Sequence, residues 1–122
     1  MSETTTYTGS CHCGTVRYRV TMKLGKVMTC NCSICSKTGT MLAFVPMSQF
    51  ELTAGQEALT DYQFGKKRIH HLFCKHCGIR SFARGVAPGG DEVAAVNVRC
   101  LDGIDIATLD VKSFDGKSLP LE

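Results

Sequence analysis

Polar and apolar residues alternate strictly over residues 15–22, with Val16, Tyr18, Val20 and Met22 on one face and Thr15, Arg17, Arg19 and Thr21 on the other. Side chains of an extended chain point alternately to opposite faces, so this segment predicts a half-buried strand. Residues 41–45, Met-Leu-Ala-Phe-Val, form a short apolar run stopped by Pro46 and predict a second strand. Residues 69–73 run into Cys74 and residues 79–83 follow Cys77, which makes the intervening C-x-x-C the turn between two strands. Residues 93–101 are mostly apolar, long enough for a central strand, and carry Cys100 within it. Leu109, Val111 and Ser113 continue a β-like pattern near the end. No segment keeps a 3.6-residue period, and one short helix is expected within residues 30–37. With glycines punctuating these runs and no internal repeat, the pattern predicts an all-β or β-rich fold in one domain over residues 1–122.

Length agrees, since 122 residues is the size of a single domain. No apolar run approaches the roughly 18 residues of a membrane span. A net charge of +3 and few aromatic residues argue against nucleic acid as a partner. The start, MSETTTYTGS, lacks the basic and apolar regions of a secretory signal, so a cytoplasmic location with reduced thiols is expected. With no Trp and only six Phe and three Tyr, the core is modest, and a covalent or metal staple would help it.

Eight cysteines supply the candidates. Seven fall in tight groups, Cys11 with Cys13, Cys30 with Cys32 and Cys35, and Cys74 with Cys77, while Cys100 stands alone. Thiolates one or two residues apart are poorly placed to bond each other, but they converge readily on one ion at Zn–S distances of about 2.3 Å. Gly14 follows Cys13 and Gly78 follows Cys77, where a zinc knuckle needs positive φ. Cys11, Cys13, Cys74 and Cys77 thus supply four thiolates, the closed set of a structural zinc. Spacing also allows Cys11 and Cys13 to join the middle group instead. Cys30, Cys32 and Cys35 give three ligands. Left open, such a site is a catalytic zinc that can take a thiol; closed by Cys100, His71 or His76, it is structural. His12 and His76 are expected at the surface, His71 as a site wall or a buried strand histidine, and Cys100 as a buried small hydrophobe. Lys66, Lys67 and Arg68 read as a solvated turn; with Lys37 and Arg99 they are candidate anion contacts.

Four motifs occur in order: Gly9-Ser10-Cys11-His12-Cys13-Gly14; Cys30-Asn31-Cys32-Ser33-Ile34-Cys35-Ser36-Lys37-Thr38-Gly39; His71-Leu72-Phe73-Cys74-Lys75-His76-Cys77-Gly78; and Asn97-Val98-Arg99-Cys100-Leu101-Asp102-Gly103. Over residues 8–114 the chain resembles the glutathione-dependent formaldehyde-activating enzyme family, shared with centromere protein V. The resemblance implies a zinc-stapled Mss4-like fold of small antiparallel sheets. It implies one structural zinc on Cys11, Cys13, Cys74 and Cys77, and one catalytic zinc on Cys30, Cys32 and Cys35 with an open fourth position. The implied activity is that of a carbon–sulfur lyase, which adds a small thiol, glutathione or similar, to formaldehyde or a related aldehyde to give an S-hydroxymethyl adduct. Two features depart from the family pattern. The position after Cys35, basic in many members, is Ser36 here, with Lys37 next, and the chain is short, with little between Pro46 and Asp61 and no dedicated glutathione pocket evident in its sequence. The alternative from another class is a non-catalytic, zinc-stapled protein-binding module; thiol–disulfide exchange at Cys30, Cys32 and Cys35 is a third reading.

Overall fold

The computed structural model describes residues 4–118. Its strands are β1 (Thr4–Ser10), β2 (Arg17–Lys23), β3 (Lys26–Cys30), β4 (Leu42–Pro46), β5 (Phe50–Ala54), β6 (Leu59–Tyr62), β7 (His70–Cys74), β8 (Phe82–Val86), β9 (Glu92–Asn97) and β10 (Asp110–Phe114). One short helix, α1 (Cys35–Thr38), lies between β3 and β4. A small sheet has the order β1-β2-β5, and a large one the order β10-β3-β4-β9-β8-β7-β6. The strand-rich, two-sheet fold is the expected one. Its pairs are antiparallel except for β10, which runs parallel to β3 at the edge of the large sheet.

The alternation over residues 15–22 becomes β2, with Tyr18, Val20 and Met22 buried and Arg17 and Arg19 exposed. In β9, Ala94, Ala95, Val96 and Asn97 are all buried. A strand covered on both faces reads as a continuous apolar run, and β9 lies at the centre of the large sheet. That run is nevertheless shorter than expected. The Asn97 side chain accepts a hydrogen bond from the Arg99 backbone N–H and turns the chain into a 3-10 turn, Val98–Cys100. Cys100 therefore sits in a turn and not in a strand. β4 ends at Pro46, as expected, with Pro46 paired opposite Val93. The strand after the C-x-x-C starts at Phe82, three residues later than expected from position 79. Four strands, β1, β3, β5 and β6, were not expected; of these only β5 alternates, with Phe50 and Leu52 turned inward and Glu51 and Thr53 exposed. The sequence of β1, TTTYTGS, is mostly exposed and only Gly9 is buried, so it presents no apolar face to read.

Between the sheets lies the main core. The rings of Tyr18, Phe50 and Phe82 pack with centroids 4.5–6.1 Å apart, surrounded by Val20, Met22, Leu24, Val96 and Val98. The opposite face of the large sheet carries a second apolar group of Leu42, Ala83 and Ala95, on which Cys35 packs. Register explains its shape. Phe44, Ala95, Ala83, His71 and Tyr62 lie side by side across β4, β9, β8, β7 and β6. Two alanines in the middle of this row leave a hollow between Phe44 and His71.

Candidate metal centres

The loop after β1 presents Cys11 and Cys13, and the end of β7 with its following turn presents Cys74 and Cys77. The four sulfurs all lie within 4.8 Å of one another. Cys13 Sγ is 3.7 Å from both Cys11 Sγ and Cys74 Sγ. A tetrahedron with Zn–S bonds of about 2.3 Å has edges of about 3.8 Å, so the sulfurs stand where such an ion needs them. Disulfide sulfurs would be about 2.05 Å apart. Of the two pairings that spacing allowed, the fold brings together Cys11 and Cys13 with Cys74 and Cys77.

Each knuckle closes as the glycines predict. Gly14 has φ 82° and Gly78 has φ 77°. Their N–H groups donate to the carbonyls of Cys11 and Cys74 at 3.2 and 2.8 Å. Backbone N–H groups also point at sulfur, from Val16 to Cys11 at 3.3 Å and from His76 to Cys74 at 3.4 Å. The Thr15 hydroxyl, 3.1 Å from Cys13 Sγ, holds that thiol below its ordinary pKa. Burial pushes the Cys77 thiol up, but backbone N–H groups at Cys13 and Ile79 outweigh it and bring it to about 6. Both shifts favour the thiolate, the form that binds metal. His12 and His76 are exposed, as expected.

At the second cluster β3 ends in Cys30, Cys32 follows in the turn, and Cys35 opens α1. Their sulfurs also lie within 4.8 Å of one another. Cys30 accepts a hydrogen bond from the Cys32 N–H at 3.4 Å, and Cys32 one from the Cys35 N–H at 3.5 Å. Burial raises Cys32, yet these contacts leave it below its ordinary value, while burial drives Cys35 up to about 12. Among the described residues no fourth His, Cys, Asp or Glu joins this group. Cys100 packs against the main core, with Asn97 Nδ2 at 3.6 Å. His76 belongs to the other knuckle.

The three thiols open on a cavity of about 370 Å³ floored by Leu42, Ala83 and Ala95. Its walls include Met28, Ile34, Phe44, Phe64, Ile69 and Phe114, with His71, Arg80 and Lys117 as the titratable groups besides cysteine. His71 is 4% exposed and stacks on Phe64 at 5.3 Å. Burial, helped by the charge of Arg80, lowers its pKa to about 4, so it is neutral at pH 7. The cations singled out from sequence, Lys37, Lys66, Lys67, Arg68 and Arg99, do not line this cavity. Arg80 and Lys117 take their place. No local signal marks either one: the parallel pairing of β10 with β3 brings Lys117 to the cluster.

This architecture defines a strand-rich protein with two cysteine clusters able to hold metal ions, one of them walled by an apolar cavity. A family model described as glutathione-dependent formaldehyde-activating enzyme matches residues 6–114. The chain belongs to that family. It is also similar to a crystal structure of a Rhodobacter sphaeroides protein, at 31% sequence identity and a TM-score of 0.73, over 86% of this chain and 99% of the other.

Proposed function

We propose that the chain folds as one domain over residues 1–122 and acts in the cytoplasm as a zinc-dependent carbon–sulfur lyase. It joins a small thiol, glutathione or a similar one, to formaldehyde or a related aldehyde. Cys11, Cys13, Cys74 and Cys77 hold a structural zinc, and Cys30, Cys32 and Cys35 a catalytic one. The observation that carries this reading is the three-thiol group in the cavity lining, joined by no fourth ligand among the described residues. What the ion supplies there when bound is a lowered pKa for a thiol that approaches it.

The chain's own residues do the rest. The apolar walls exclude water and hold the reactants close, which replaces an encounter in solution by a local one. The sulfur–carbon bond forms as the carbonyl π bond breaks, and the thiol proton ends on the carbonyl oxygen; nothing is oxidised or reduced. His71, in the cavity wall and neutral at pH 7, serves as a relay for that proton, since a neutral imidazole carries one ring N–H that donates and one ring nitrogen that accepts. Exchange NMR of glutathione with ¹³C-formaldehyde tests the proposal: the zinc-loaded protein should speed adduct formation above the spontaneous rate. No acceleration with glutathione or any common small thiol would leave the zinc-stapled binding module as the better reading.

A further inference from the structure

The C-terminal turn is fastened to the second cysteine cluster by one residue, Asn31. Asn31 stands between Cys30 and Cys32, and its backbone N–H donates to the Phe114 carbonyl at 3.3 Å. Its Nδ2 donates to Asp115 Oδ1 at 2.9 Å, and its Oδ1 accepts from the Lys117 N–H at 3.0 Å. The Ser118 hydroxyl closes the turn on Asp115 Oδ2 at 2.6 Å. Gly116 is held so close that a Cβ there would lie 2.5 Å from Cys30 Sγ. This clamp sets Lys117 on the rim of a cavity whose other lining is chiefly apolar. Arg80, the other cation of the lining, is half-buried beside His71 and Cys35, whereas Lys117 is exposed and can meet a charged group arriving from solvent.

We propose that Lys117, set in place by the Asn31 side chain, recognises a carboxylate on the thiol substrate and so selects anionic thiols over neutral ones. This rests on the thiol-adding reading above. An ammonium at an apolar rim attracts a carboxylate more than one surrounded by water does, because the walls screen it less. Lys117 is thus a specificity residue, and Asn31 a positioning residue that acts through it.

The test compares glutathione with its diethyl ester, which keeps the thiol and the peptide but masks both carboxylates. Calorimetric titration of the zinc-loaded protein should show glutathione binding about fivefold tighter than the ester. The preference should shrink as salt rises. Lys117→Ala should abolish it, Lys117→Arg should keep it, and Asn31→Ala should weaken it with two zincs still bound per chain. Should Asn31→Ala fail to fold, the exposed Lys117 variants decide alone. A preference that survives in Lys117→Ala, or equal binding of both thiols to the wild type, overturns the assignment of Lys117 and leaves the thiol reading standing. Binding of neither thiol overturns both.

Discussion

Replacing Cys74 by serine opens the four-cysteine cluster, and the loss can be estimated from the chain it clips. Cys13 and Cys74 are 61 residues apart in sequence, yet their sulfurs lie 3.7 Å apart. A cross-link over a loop of that length removes chain entropy from the unfolded state worth about 4 kcal/mol, treating the metal clip as a disulfide would be treated. A domain of this size is stable by only about 5–15 kcal/mol, so the loss is a large share of the whole. It corresponds to a drop in melting temperature of about 15 °C. Calorimetry on wild type and Cys74→Ser, with zinc counted by elemental analysis, reads the effect directly. The variant should hold one zinc fewer, and a strong chelator should lower the wild-type midpoint to a similar or greater extent. Cys100→Ser is the control: this thiol belongs to neither cluster, so zinc content should be unchanged and the stability loss below about 1.5 kcal/mol. A Cys74→Ser protein that melts where the wild type does, or a chelator that leaves the midpoint alone, would refute the clip.

Three further outcomes follow from the same structure. Ala95→Leu projects extra carbons from the sheet floor into the cavity, away from the main core; thiol binding by calorimetry should weaken at least tenfold while stability changes by less than about 1.5 kcal/mol. Tyr18 buries its hydroxyl with no hydrogen-bond partner among the described residues, so Tyr18→Phe should be neutral or stabilising by up to about 1 kcal/mol in denaturant melts, and a loss greater than that would contradict it. His71 has a folded pKa of about 4, below the ordinary imidazole value of 6.5, so the unfolded chain binds the extra proton in that window. Its contribution to stability is therefore fully present above pH 6.5 and is lost as pH falls toward 4. Imidazole NMR should place the His71 midpoint near 4, and a midpoint at 6.5 would show the ring to be solvated.

The elements that sequence patterning reveals are those with one plain environment. Tyr18, Val20 and Met22 alternate with arginines because β2 has a dry face and a wet one. The run around β9 is apolar throughout because both its faces are covered. β1 and β6 stay hidden because most of their residues are exposed, leaving no period to detect. The cysteine clusters were legible for a covalent reason: C-x-C, C-x-x-C and the glycines after them constrain only a few neighbouring residues. The same locality explains why Cys100 is expected in a strand but sits in a turn, since its place depends on the Asn97 side chain.

By itself, then, the sequence determined the β-rich class, the cysteine groups and the positive-φ turns at Gly14 and Gly78. Each of these depends on side-chain period or on chemistry within a few bonds. Only the tertiary structure decided which groups meet, that Cys100 joins neither, and that Ala83 and Ala95 open a cavity above Cys35. It alone brought Arg80 and Lys117 to that cavity in place of the cations nearest the motifs. Those outcomes depend on strand register and on one parallel pairing between β10 and β3, and register is set by how distant faces pack, not by any residue's neighbours along the chain.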